Sequence, residues 1–230
     1  MASYLIEDLV AANRILADQG VLDAWGHVSV RHERDAEKYL LSRSLAPELV
    51  TEDDIMEYDL ESNPIEARGC STYLERFIHG EIYKARPDVK AIVHSHSPAV
   101  VPFGLTDVPL LPVYHMSAFL WEGVPIFEIR NVAGMTDLMV RNKELGRALA
   151  QTLGSKGAAL MRGHGVVVVA VTLPLAVARA IYMEINARIQ TQAISLGGKV
   201  TYLEPEEGQK AAMLPFERGW ELWKRKALGK

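Results

Sequence analysis

Residues 91–97 read Ala-Ile-Val-His94-Ser-His96-Ser97, an apolar run that ends in two histidines one residue apart. In a β-strand, residues i and i+2 project from the same face, so a strand here would set both imidazoles side by side in one space. Packed without an ion, each ring would need its own hydrogen-bond partners in tight quarters. A divalent transition metal satisfies both at once. A third histidine, His164, lies between Gly163 and Gly165, directly ahead of the apolar run Val166–Val171. Glycine on both sides permits a sharp turn and a close backbone approach. This pattern predicts a three-histidine metal site in a soluble enzyme.

The rest of the chain fits that class. Its 230 residues, 49 % hydrophobic and 23 % charged, suffice for a sizeable core without staples. The formal net charge is −4, and Lys224-Arg225-Lys226 is the first cluster of basic residues, which points away from nucleic acid as a partner. No apolar run approaches the length of a membrane span, and no secretory signal pattern opens the chain. The single cysteine, Cys70, reads as a small buried residue, and its solitude fits a reducing cytoplasm. Periodicity predicts helices over residues 4–20, 72–85, 136–153 (capped by Thr136) and 174–196, with a last helix after Pro205. It predicts strands at His27–Arg31, Tyr39–Ser42, Lys90–His94, Val124–Ile129, Ala158–Met161 and Val166–Val171. No composition break marks a linker, so one α/β domain spanning 1–230 is expected.

Locally, Thr72-x-x-Glu75 at the head of a helix reads as a capping box. A wider pattern assigns Glu75 differently. Glu75, then Arg86-Pro-Asp-Val, then Ala-Ile-Val-His94-Ser-His96, then Gly-His164-Gly resembles the class II aldolase/adducin family over roughly residues 5–200. The segment Trp25-Gly26-His27-Val28-Ser29-Val30-Arg31 behind the first helix resembles it too, although the family usually carries Gly-Asn-(Val/Ile)-Ser there. The resemblance implies a three-layer α/β/α fold with a central, mostly antiparallel sheet. It implies one divalent ion per subunit (zinc, manganese, iron or cobalt) on His94, His96 and His164, and Glu75 as a general acid or base. It also implies a homotetramer with active sites at subunit interfaces.

Departures from the family's sugar aldolases bear on the substrate. Where those hold a phosphate with Asn, Thr-Gly and Ser-Ser, this chain has His27, Ser44-Leu45 and Tyr73-Leu74. The small donors of a phosphate cradle are largely gone, and a bulkier, partly aromatic wall replaces them. Arg43 adds a two-pronged donor suited to a carboxylate, or is a solvated loop residue. His115, in Tyr114-His115-Met116, falls where fuculose-phosphate-type aldolases keep a proton-donating tyrosine, with Tyr114 one residue away as the other match. Trp25–Ser29 and Ser42-Arg-Ser-Leu-Ala-Pro-Glu48 resemble a branch of the family that decarboxylates hydroxylated aromatic acids, such as dihydroxyphthalate and hydroxy-methylpyridine-dicarboxylate. The resulting expectation is a metal-dependent lyase acting on a small aromatic carboxylate. Glu75 and His115 would be catalytic, and His27, Arg43, Ser44 and Tyr73 would bind substrate. A sugar-phosphate aldolase or epimerase, a non-catalytic adducin-like module and a metal-dependent oxygenase are the alternatives.

Overall fold

The computed structural model describes residues 3–67, 69–212 and 216–229. Seven strands form one sheet: β1 (His27–Arg31), β2 (Lys38–Ser42), β3 (Ile55–Asp59), β4 (Ala91–Ser95), β5 (Ile126–Phe127), β6 (Ala158–Met161) and β7 (Gly165–Ala170). Their spatial order is β3-β2-β1-β4-β7-β6-β5. Every neighbouring pair is antiparallel except β5–β6. The helices are α1 (Ser3–Asp18), α2 (Arg76–Ala85), α3 (Arg130–Ala133), α4 (Lys143–Leu153), α5 (Leu173–Ser195), α6 (Pro205–Ala211) and α7 (Glu217–Leu228). No helix among the described residues is long and apolar enough to cross a membrane.

Alternation along the strands separates two cores. Val28, Val30, Val93, Val166 and Val168 face one side, where they bury Leu9, Leu16, Val177 and Ile181 of α1 and α5. Leu41, Ile92, Val167 and Val169 face the other, against Ile78, Ile82, Leu145 and Leu149 of α2 and α4. A sheet buried on both faces reads as near-continuous apolar runs, which is how β4 and β7 look in the sequence. The three-layer α/β/α architecture is thus present, with β4 held between β1 and β7 at its centre.

Several boundaries differ from the expectations. The helix expected over 72–85 begins at Arg76, so Glu75 sits at the N-cap position, makes no cap bond, and forms no capping box with Thr72. Thr136 caps no long helix; its hydroxyl accepts from Leu138 N–H, and the helix starts seven residues later under the side chain of Asn142, which accepts from Leu145 N–H at 2.9 Å. The strand expected over Val124–Ile129 shortens to two residues. The helix expected after Pro205 is two helices, with 213–215 outside the described residues. Strand β3, which is not among the expected strands although Met56-Glu-Tyr58-Asp alternates, pairs with β2 along its length. Cys70 is half-buried, not buried.

Asn142 makes the cap, so Asn142→Ala is expected to lower stability by about 1 kcal/mol, read as a shifted urea midpoint with an unchanged slope.

Candidate active site

The β1–β4 and β4–β7 ladders assemble the site. Register pairs His27 with His94 across β1–β4, and His94 with Val167 across β4–β7. His164 sits in the turn that enters β7. A Cβ on Gly165 would lie 2.2 Å from the carbonyl oxygen of Ser95, so only glycine lets the two chains close here. Gly163 takes the left-handed conformation at φ +65° that turns the chain back. The rings of His94, His96 and His164 end with centroids 5.0–5.2 Å apart. Together with Glu75 they offer four ligand atoms within 4.8 Å of one another.

Second partners fix which nitrogen each ring presents. His94 Nδ1 lies 3.2 Å from the carbonyl oxygen of Val166, and His164 Nδ1 lies 3.0 Å from that of Leu138. A carbonyl only accepts, so both Nδ1 atoms carry protons. In the neutral rings Nε2 is then a bare lone pair. His94 Nε2 is buried without a hydrogen-bond partner. The Nε2 atoms of His94 and His164 lie 3.4 and 3.3 Å from Glu75 Oε2. His96 Nδ1 lies 3.5 Å from Asp23 Oδ1, and that carboxylate is itself held by the N–H groups of Trp25 and Gly26. A buried carboxylate facing bare nitrogen lone pairs needs a cation between them. The donor set therefore fits a divalent ion.

Glu75 is divided between two tasks. Oε1 accepts from Val140 N–H at 2.8 Å, and Oε2 faces the imidazoles. Burial pushes its pKa up, but His164 and His94 outweigh that and hold the carboxyl far below the usual range. Burial likewise opposes charge on His164, yet the Glu75 carboxylate raises its pKa above the ordinary value. The segment that serves both residues is strained. Leu138 has φ 69°, rare for a side chain other than glycine, and this turn aims its carbonyl at His164 while Val140 N–H meets Glu75.

Beside the cluster opens a cavity of about 320 Å³ lined by Trp25, His27, Ser44, Tyr73, Leu74, Glu75, His96 and Met139. Its wall is largely aromatic and apolar. Trp25 is 72 % and Leu74 58 % exposed at its rim. His27, Ser44 and Tyr73 thus meet Glu75 and His96 in one space. Tyr73 contributes its ring, stacked at a tilt 4.6 Å from that of His27. Its hydroxyl donates to the carbonyl of Leu45 at 2.6 Å and lies 3.1 Å from Ser42 Oγ. Arg43 lines no part of this cavity; its Nε donates to Asp54 Oδ1 at 2.6 Å. His115 is exposed and apart from the cavity lining, and Tyr114 is half-buried with its ring 6.4 Å from Tyr182.

Three contributors escaped the sequence reading. Asp23 and Met139 lie in loops with no local pattern. Glu184 is buried within α5, where it accepts from Ser97 Oγ and from Ala99 N–H at 3.1 Å. It pins the chain just behind His96. Its signal was a carboxylate amid the apolar residues of a long helix.

A family model described as Class II Aldolase and Adducin N-terminal domain matches residues 7–191. "Decarboxylase tropJ" of Talaromyces stipitatus is 35 % identical over 250 aligned positions, covering 97 % of this chain and 94 % of that protein. A "3,4-dihydroxyphthalate decarboxylase" of Arthrobacter keyseri is 31 % identical, covering 84 % and 79 %. Among solved structures, an L-fuculose 1-phosphate aldolase from Glaciozyma antarctica superposes with a TM-score of 0.79 at 26 % identity, covering 97 % of this chain and 88 % of that one.

Two outcomes are expected here. Gly165→Val should cost more than 1 kcal/mol by overpacking and weaken zinc binding measured by competition with a chromogenic chelator, because the Ser95 carbonyl must move. The second concerns pH in the metal-free protein. The stability His164 gains from Glu75 is complete below its unfolded pKa of 6.5 and is lost as pH rises through its raised folded value. The matching contribution of Glu75 is present above its unfolded 4.5 and is lost only in strong acid. Urea midpoints of the metal-free protein should therefore fall as pH climbs above 6.5, and Glu75→Gln should remove that slope.

Proposed function

The chain belongs to the class II aldolase and adducin family, and we propose that within it the protein is a metal-dependent lyase that decarboxylates a hydroxylated aromatic or heteroaromatic carboxylate. The observation that carries this reading is the cavity wall. Ring and apolar surfaces of Trp25, Tyr73, Leu74 and Met139 stand beside the Glu75/His94/His96/His164 cluster. A flat aromatic acid finds stacking surface there; a sugar phosphate finds few of the small donors it needs. The decarboxylase-named relatives support the same reading.

His94, His96 and His164 would hold a divalent ion, with Glu75 within reach. When bound, such an ion supplies Lewis-acid stabilisation of negative charge developing on a substrate oxygen. The remaining work falls to the chain's own groups. Glu75 Oε2 takes the proton of the substrate's ring hydroxyl, and the Val140 N–H keeps Oε1 anchored while it does so. The same oxygen then delivers that proton to the ring carbon bearing the carboxylate. The carbon–carboxylate bond breaks, carbon dioxide leaves, and the electron pair returns through the ring to the hydroxyl oxygen, which solvent reprotonates. Bond formation and cleavage thus balance with one proton taken from water per turnover. His27 and Ser44 contact the substrate's carboxylates, and Trp25 and Tyr73 cover its faces and exclude water.

Arg43 and His115 take a different place in this proposal. Arg43 positions the Ser44 loop through Asp54 and meets no substrate in this arrangement. His115 acts only where a neighbouring subunit of a homotetramer completes the open rim, and a cytoplasmic location is part of the same reading.

Release of carbon dioxide from 3,4-dihydroxyphthalate and related hydroxylated benzene- and pyridine-carboxylates, with and without chelator, tests the proposal. Chelator-sensitive release is expected; cleavage of L-fuculose 1-phosphate without any carbon dioxide release would replace it with the aldolase reading. Glu75→Gln should retain the metal by elemental analysis and lose on the order of 10²-fold or more in turnover.

A further inference from the structure

Four buried groups run inward from the cavity wall, and no step above uses three of them. His27 Nδ1 lies 2.7 Å from His79 Nε2, and His79 Nδ1 lies 2.6 Å from Ser29 Oγ. Ser29 Oγ in turn lies 2.9 Å from the hydroxyl of Tyr83. All four residues are at most 2 % exposed.

The direction of the protons along this chain follows from its closed end. The Tyr83 hydroxyl has Ser29 as its hydrogen-bond partner; what lies over its ring is the Arg31 guanidinium, 4.6 Å from the centroid, which accepts nothing. Burial keeps the inner members neutral: it raises the Tyr83 phenol and lowers His79 to about 3. A buried phenol proton must find an acceptor, so Tyr83 donates to Ser29. Ser29 has one proton, and it goes to His79 Nδ1. His79 is then protonated on Nε2 and donates to His27 Nδ1. Any other order strands the proton of Tyr83 or of Ser29 in the core.

We infer that Tyr83, Ser29 and His79 lock His27 as the tautomer protonated on Nε2, so that His27 offers the cavity a neutral hydrogen-bond donor. The inference rests on the reading that this cavity takes the substrate. It identifies His79 as a positioning residue. It also requires the substrate group opposite His27 to be an acceptor, as a carboxylate oxygen is. And it explains how His27 can pair with His94 across the ladder without competing for the ion, since its cavity-facing nitrogen carries no free lone pair.

Nitrogen-15 spectra of histidine-labelled, zinc-loaded protein test this directly, with His27 and His79 assigned through single Gln variants. Both rings are expected to be protonated on Nε2 alone; a His27 protonated on Nδ1 overturns the inference. Ser29→Ala should turn the single His27 tautomer into a mixture, and Ser29→Thr should restore it. A purely structural Ser29 would leave the tautomer unmoved, and that result also overturns the inference. Should Ser29→Ala fail to fold, the wild-type tautomer still decides. Saturating phthalate, used as a probe, should shift the His27 Nε2–H proton. The expected tautomer without a phthalate shift supports the hydrogen-bond chain and removes the substrate contact of His27, so the two readings fail separately.

Discussion

Two backbone carbonyls, those of Val166 and Leu138, decide what this site can be. Each accepts the Nδ1 proton of a histidine, and each thereby turns the other ring nitrogen into a lone pair aimed at Glu75 Oε2. Without those bonds the rings could rotate or change tautomer, and the cluster would be three side chains near a carboxylate. With them it is a preorganised set of donors. The sheet supplies the Val166 carbonyl at a fixed distance through the β4–β7 register, and the loop ahead of α4 supplies the other.

The same ladders set the roles of the neighbouring rings. His27 and His94 are cross-strand partners with centroids 5.0 Å apart, yet one points its lone pair and the other its proton into the shared space. The difference lies behind them: a carbonyl accepts a hydrogen bond from His94 Nδ1–H, and an imidazole N–H donates one to His27 Nδ1. Burial reinforces the contrast, because neither His27 nor His79 can gain charge cheaply in the core. The cavity lining thus carries one charged group, Glu75, among neutral surfaces.

Much of this was legible in the residues. The His94/His96 spacing, the glycines around His164 and the apolar runs of β4 and β7 singled out the three clustered histidines, because strand periodicity and close backbone approach leave local traces. Glu75 was ambiguous locally: Thr72-x-x-Glu75 has the form of a capping box, and only the wider pattern turned it toward the site. His79 stands four residues after Glu75 on the helix it precedes, a spacing that shares a face, but nothing local showed that it reaches β1. Arg43 looked available because its partner, Asp54, lies eleven residues on. Strand β3 left a trace that is easily passed over, because Met56-Glu-Tyr58-Asp alternates apolar and polar residues over only a short span, and the cap at Asn142 was hidden by the equally plausible Thr136. Leu138 left no trace, since an unusual backbone angle has no signature in a leucine.

That leucine has a wider implication. The segment from Leu138 to Val140 lies outside the sheet, and it grips His164 through one carbonyl and Glu75 through one amide. The His94 and His96 half of the site, by contrast, belongs to the central ladder and to the region pinned by Glu184. The two halves therefore fall in units of unequal local stability. Relaxation of Leu138 out of its left-handed turn would free Glu75 and His164 in one motion while the sheet stayed intact, so amide exchange at Val140 should report the opening of that whole corner long before the amides of β4 respond.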